Sequence, residues 1–418
     1  MGGVFVGLMA PQFFRGYYEL PIALISCGAL AIVVLRTFPE PEWLRKLLPP
    51  PVFLSGVVAL ALGGYLTYNQ RAWFVNPAHD LARRLSKDWQ PPAEFEQYVL
   101  MAALVVCAGV ALALLRGDFK LGWARRPASW GALTAELLVL VLAGYIGYET
   151  REANSGNRVM LRNFYGGLKV RDTGTPLELS SVRGLTHGTI NHGEQYLNIA
   201  RRGLPTTYYG PNTGVGLAIR SKQGNGAIRV GVIGLGTGTL AAYGRLGDYY
   251  RFYEINPLVL RLAKTEFSFL PWAKAKTEVA MGDARLSLER EAPENFDVLA
   301  VDAFSSDAIP VHLLTKEAVQ LYFRHLRPDG ILAVHISNRY LDLAPVVEGA
   351  SVALGKVARV VDTEDDISQN VFGATWALVT SPASGFDTSI MATSEAIKPE
   401  RKVRLWTDDY SNLFQILK

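Results

Sequence analysis

Three acids stand where the chain should turn out of strands: Glu254 ends Tyr250-Arg251-Phe252-Tyr253-Glu254, Asp283 follows Gly282, and Asp302 opens Asp302-Ala303-Phe304-Ser305-Ser306-Asp307. Ahead of them, the apolar run Val230-Gly231-Val232-Ile233 passes into Gly234-Leu235-Gly236-Thr237-Gly238. Glycines after a strand let backbone approach a ligand closely, and an acid at the next strand end can accept both hydroxyls of a ribose. Three carboxylates on one rim repel one another unless each meets a donor or a cation. A ligand offering hydroxyls, an amino group and positive charge answers that need, and adenosine joined to a sulfonium has all three. On this reading Gly234, Gly236 and Gly238 form the loop, Glu254 takes the ribose, Asp283 with Ala284 takes the adenine, and Asp302 lies near the reacting centre. Acids at helix starts also cap helices without any ligand, so that alternative stays open for each acid taken singly.

The elements that must position these residues alternate. Strands are expected over 228–233, 249–254, 277–280, 298–302 and 331–336, with helical patterns over 239–245, 257–267, 284–289 and 315–326. Asn256-Pro257 supplies a helix start with proline at the first helical position. Arg327-Pro328-Asp329-Gly330 reads as a turn, and further elements near 344–354, 357–361 and 375–380 would complete the sheet. Such alternation predicts an α/β fold, a Rossmann-like doubly wound parallel sheet of the class I methyltransferase type, with ligands at the carboxyl ends of the strands. Before it, strand, turn and strand over 162–172 and further strands over 177–182 and 183–191 predict a small β-rich segment.

The N-terminal part has a different composition. Apolar runs near 20–35, 52–68, 98–115 and 132–148 contain no Lys, Arg or Asp and are long enough to span or nearly span a bilayer. Tyr17, Tyr18, Tyr65, Tyr68, Tyr98, Trp130, Tyr145 and Tyr148 fall near the run ends, as interfacial aromatics do. Residues 2–8 are apolar but too short to cross, and resemble the tail of a helix whose beginning is missing. The expected organisation is therefore 1–150 as a bundle of about four transmembrane helices, 151–223 as the β-rich segment and 224–418 as the Rossmann-like domain. Basic residues fall almost equally on the two sides of the runs, so charge does not set the orientation.

A net charge of +4 in 418 residues gives no case for nucleic acid as a partner. Cys27 and Cys107 both lie in apolar runs, and no zinc-type Cys/His spacing occurs, so neither a disulfide framework nor a metal site is expected.

The succession Ile-Gly-x-Gly-x-Gly (233–238), Tyr-Glu-Ile-Asn-Pro (253–257), Gly-Asp-Ala-Arg (282–285), Val-Asp-Ala-Phe-Ser-Ser (301–306) and His-Leu-Leu-Thr-Lys-Glu (312–317) resembles the spermidine synthase (polyamine aminopropyltransferase) family, closest to its membrane-anchored branch. The likeness extends upstream through 162–166, 187–193 and 207–211, and downstream to Trp406-Thr407-Asp408-Asp409-Tyr410-Ser411-Asn412. It implies transfer of an aminopropyl group from decarboxylated S-adenosylmethionine, a co-substrate rather than a resident cofactor, to an amine such as putrescine. Carried across, Glu254 binds the donor ribose, Asp283 the adenine, Asp302 is the base, and His192 falls where a polar side chain covers the donor. Tyr208 and Tyr209 are candidates for lining the amine channel, since aromatic faces attract cations, and Ser305 and Asp307 for holding the polyamine. Two positions depart from the family pattern. Thr237 stands where the soluble enzymes carry an aspartate near the aminopropyl end, and Ser305 where they carry a second one, with Asp307 two places late. His335 stands at a strand end, where histidines are mostly structural, and is not among the candidates.

Two rivals remain at this level: an S-adenosylmethionine-dependent methyltransferase, disfavoured by Val232 where an acid is common, and a weakly catalytic sensor of nucleoside or polyamine. The expected partners are the adenosyl donor, a small amine and the lipid bilayer, with a homodimer left open. Because the donors are cytosolic, the expected location is a bacterial inner membrane, with the 152–418 part in the cytoplasm.

Overall fold

Strand-forming segments with buried, β-branched and aromatic residues build two sheets in the computed structural model, which describes residues 10–14, 18–37, 99, 139, 142–147, 150, 155–188, 190–224, 226–303, 310–398 and 403–418. The chain divides into two units, 18–155 and 1–17 with 156–418.

In the first unit, the apolar run at 20–35 lies in a helix, Glu19–Thr37. Gly28 sits directly against Val139, where an added Cβ would come within 2.5 Å of a valine methyl. Cys27 is an exposed free thiol. Among the described residues, no helix is long and apolar enough to cross a membrane. The run at 52–68, the run at 98–115 apart from residue 99, about ten of the seventeen residues at 132–148, and Cys107 lie outside the described residues.

The second unit carries the site. Its smaller sheet is antiparallel and runs in order β1 (Asn157–Asn163), β2 (Gly166–Thr173), β3 (Val182–His187) and β4 (Ile190–Tyr196). The strands expected at 177–182 and 183–191 are displaced: residues 176–180 form turns, and Leu177 and Leu179 are exposed. Pro176 and the serine pair Ser180-Ser181 favour that turn over a strand.

The larger sheet contains β5 (Arg229–Ile233), β6 (Tyr249–Glu254), β7 (Lys276–Met281), β8 (Phe296–Val301), β9 (Leu326–His335), β10 (Val357–Thr363), β11 (Ala374–Thr380) and β12 (Glu395–Ala396). Its order is β12-β10-β11-β9-β8-β5-β6-β7. The strands from β7 to β9 pair in parallel, while β11 is inserted antiparallel to both β9 and β10. This is the mixed sheet of a methyltransferase-type Rossmann fold, and it corrects the expectation of a wholly parallel one. The reason is the short β10–β11 connection, which holds only a 3₁₀ turn at Ile367–Gln369, whereas a parallel pairing needs a crossover of a dozen residues or more. The expected turn at 327–330 instead lies within the first half of β9, exposed at 327–329 and buried at Gly330.

Helices cover both faces: α1 (Gly214–Gln223), α2 (Pro257–Thr265), α3 (Ala284–Arg290), α4 (Lys316–His325), α5 (Ala344–Ala353) and α6 (Thr388–Thr393). Asn256, Asp283 and Thr315 cap α2, α3 and α4 through side-chain oxygens that accept backbone N–H groups. The helical pattern expected at 239–245 closes as a 3₁₀ turn, Thr239–Tyr243. Along β8 every residue is buried, and the pleat sorts them: Val298 and Ala300 join the core on one face, Leu299 and Val301 that on the other. Trp376, fully buried on β11, anchors the first of these cores. Each large apolar side chain so buried contributes about 1.5–3 kcal/mol, which fixes the strand ends that carry the site.

Candidate functional site

The four parallel strands β5 to β8 end on one rim, and backbone bonds knit that rim together. Gly234 N donates to Tyr253 O, Gly282 N to Glu254 O and Asp302 N to Ile233 O, at 2.8–2.9 Å. Above lies a cavity of about 330 Å³. Gly234, Gly236, Glu254, Asp283, Ala284, Asp302 and His192 all line it. Gly234 has φ +95, and a Cβ there would lie 2.1 Å from Asp302 O, so only glycine lets the loop pass this close to β8.

Glu254 is 7% exposed. Its Oε2 accepts Leu235 N–H at 3.0 Å and its Oε1 accepts Asn256 N–H at 2.7 Å. Burial raises its proton affinity above that of an ordinary glutamate, and the backbone donors offset part of that. A carboxylate has about four lone-pair sites, so both oxygens can steady the glycine loop and still face the cavity. Asp283 has a double role of the same kind. Its Oδ1 caps α3 by accepting Leu286 N–H at 2.9 Å, while its Oδ2 lies 3.1 Å from His312 Nε2.

Asp302 is held from behind. Tyr209 donates its hydroxyl to Oδ2, and His335 Nδ1 lies 2.8 Å from Oδ1. Burial by itself pushes the Asp302 carboxyl up. The charge and hydrogen bond of His335, the Tyr209 hydroxyl and His192 together outweigh it and hold the group below the ordinary aspartate range.

His192, on β4, faces the same space, and its Nε2 is buried without a hydrogen-bond partner among the described residues. Burial, reinforced by neighbouring His187, lowers its pKa to about 4 against a small opposing pull from Asp302, so it is neutral at physiological pH. His187 also lines the cavity, and burial lowers its pKa too.

Other expected residues stand elsewhere. Gly238 does not line the cavity; it starts the 3₁₀ turn in a left-handed conformation. Tyr208 and Tyr209 stand behind Asp302 rather than on the cavity wall, Tyr208 donating to Asn191 O at 3.3 Å. Ser305 and Asp307 lie outside the described residues. Thr237 is fully buried, 2.8 Å from Thr239 Oγ1 and packed under Gly193, so it does not reach the ligand space. Asp408, from the C-terminal motif, grips Arg285 on α3 and accepts from Thr315 Oγ1 at 2.8 Å, tying together the starts of α3 and α4. His335, Tyr165 and His312 are the residues that sequence reasoning missed. Tyr165 and His312 lie inside the motifs at 162–166 and 312–317 but were given no role, and His335 was set aside as structural.

Among the described residues no Lys or Arg lines the cavity, although three carboxylates do. With its histidines on β3 and β4 held neutral, the space favours positive charge. Among the described residues, no group of His, Cys, Asp and Glu is placed to hold a metal ion.

No family model matches the chain. A polyamine aminopropyltransferase of Vibrio vulnificus (strain CMCP6) is 32% identical over 114 residues, covering 26% of this chain and 37% of that protein. A probable polyamine aminopropyl transferase of Bifidobacterium longum (strain NCC 2705) is 26% identical over 201 residues, covering 47% of this chain and 40% of that protein. The chain thus spans about two fifths of the length of the curated relatives it matches. A probable spermidine synthase of Corynebacterium glutamicum ATCC 13032 has a solved structure that aligns with a TM-score of 0.41 and 16% identity, covering 57% of this chain and 85% of that one. The two sequence matches support the polyamine aminopropyltransferase family, and both relatives are transferases by name.

Proposed function

We propose that this chain transfers an aminopropyl group from decarboxylated S-adenosylmethionine to a small amine. The observation that carries the reading is the cavity lined by Glu254, Asp283 and Asp302 and, among the described residues, by no Lys or Arg. Decarboxylated donor brings two positive charges, a sulfonium and an ammonium. Intact S-adenosylmethionine brings a carboxylate as well, which would meet three acids and, among the described residues, no Lys or Arg. Glu254 takes the ribose hydroxyls, Asp283 the adenine amino group, and the free Nε2 of His192 a polar group of the donor. The acceptor amine attacks the methylene carbon beside sulfur, the C–S bond breaks, and its electron pair stays on sulfur as the neutral thioether leaves. Asp302 first attracts the acceptor's ammonium and then takes its proton as the C–N bond forms. Alignment of the two reactants contributes much of the remaining acceleration.

One observation favours a second reading, a weak enzyme that senses nucleoside or polyamine: buried Thr237 offers the donor's terminal ammonium no carboxylate. A product screen separates the two. Decarboxylated donor is incubated with a panel of amines, and wild type is compared with Asp302→Asn by mass spectrometry. Product from wild type and a large loss in the variant support transfer; donor binding without product from any amine supports sensing.

Membrane attachment through the apolar runs before residue 150, with the sheet domain in the cytoplasm, is part of the same proposal and rests on the sequence alone. Protease protection of that domain in intact spheroplasts is its test, and cleavage from outside would reverse the orientation.

A further inference from the structure

His335 ends β9 one strand beyond Asp302, buried between two aromatic rings. Tyr208 stacks on one side at 4.8 Å and 22°, Trp376 on the other at 4.7 Å and 17°. Trp376 is its cross-strand neighbour on β11, so the antiparallel insertion of that strand creates the sandwich. The ring cannot rotate without breaking both stacks. Its edge is held too: Nε2 lies 2.9 Å from Ser337 Oγ, which itself accepts Thr375 N–H at 2.8 Å. At the other edge an ionised carboxylate offers only lone pairs, so Nδ1 carries the proton directed at Asp302 Oδ1. With Tyr209 on Oδ2, Asp302 is gripped at both oxygens from the side away from the ligand.

We infer that His335 is a positioning residue: locked by Tyr208, Trp376 and Ser337, its Nδ1–H aims the Asp302 carboxylate into the cavity, and the reactivity of that carboxylate depends on it. This rests on the reading of Asp302 as the amine's proton acceptor. Among the described residues, the titratable groups facing the pair are Tyr208 and Tyr209 from the 3₁₀ turn at Thr207–Tyr209, and His192 from β4. Burial holds both tyrosines in the neutral, donating form. His192 is neutral above about pH 4. Within the neutral range, therefore, His335 is the partner whose loss Asp302 would register.

Two substitutions separate the two contributions of the ring. His335→Phe keeps a flat ring in the stack and removes the donor. His335→Gln restores an amide N–H towards Oδ1 and gives up the stack. Losing a hydrogen bond to a charged group should raise the acid limb of the kcat/KM profile by about one to two pH units in His335→Phe. The drop should fall on kcat more than on KM, and His335→Gln should recover most of the rate. Equal losses in the two variants with the acid limb unmoved, both folded by circular dichroism, would overturn the inference. A second readout does not need turnover: the titration of Asp302 in carboxyl-¹³C-aspartate protein, assigned by its absence in Asp302→Asn. If wild type makes no product, the proposed reaction fails, and the titration still decides. A midpoint raised in His335→Phe supports the positioning role, and an unmoved midpoint refutes it.

Discussion

Glu254→Gln tests how one carboxylate can both build the glycine loop and hold the ligand. In the native protein each oxygen accepts a backbone N–H, from Leu235 and from Asn256, and the group is 7% exposed. Glutamine can satisfy one of these donors with its oxygen but must turn its NH₂ towards the other. One buried N–H then faces a donor instead of an acceptor, which costs about 1–3 kcal/mol. Relief of the charge that burial already disfavours offsets part of this, so the net loss of stability should fall near the lower end. Ligand affinity should drop further. A hydrogen bond to a charged group is worth about 1.5–3 kcal/mol, or roughly ten- to a hundredfold in affinity. The assay is urea denaturation of wild type and variant, with and without 5′-methylthioadenosine, the nucleoside product of the proposed reaction. The reasoning expects a variant that folds, is less stable, and is scarcely stabilised by the nucleoside. A variant with native stability and native nucleoside stabilisation would refute it.

Three other outcomes follow from the same geometry. Gly234→Ala forces a Cβ to within 2.1 Å of Asp302 O at a φ of +95, so nucleoside binding should be lost, and thermal unfolding should show a lower Tm. Thr237→Asp should not restore the acid missing at that position: Thr237 is fully buried beneath Gly193, an unpaired carboxylate there has no cation to meet, and the outcome expected is loss of soluble, folded protein rather than gain of activity. The third concerns pH. His192 has its pKa lowered to about 4 in the fold against about 6.5 when unfolded, so it contributes stability in full above pH 6.5 and loses it as pH falls towards 4. The loss is up to about 3 kcal/mol, and His192→Gln should flatten the stability curve over that window in denaturant titrations.

The three rim acids were legible because strand-and-helix alternation places them without any knowledge of strand order. Glu254, Asp283 and Asp302 follow successive strands, and any sheet of this class sends those ends to one side. His335 was not legible in that way. Its importance comes from Trp376 across an antiparallel pairing and from Tyr208 far upstream, and no local pattern in Ala333-Val334-His335 reports either contact. The direction of Thr237 was hidden for a similar reason, since it depends on Gly193 leaving room on β4. Helix α1 was missed because Gly214 and Gly216 weaken the helical signal and its first six residues are all buried, leaving no amphipathic stripe to read. Only Thr213, accepting Gly216 N–H, marked its start.

Titration calorimetry of the full-length protein with decarboxylated and with intact S-adenosylmethionine is the most direct measurement. A cavity lined by three acids and, among the described residues, by no Lys or Arg predicts tighter binding of the decarboxylated donor, by about tenfold or more. Equal or tighter binding of intact S-adenosylmethionine would contradict the account and point to methyl transfer on the same sheet.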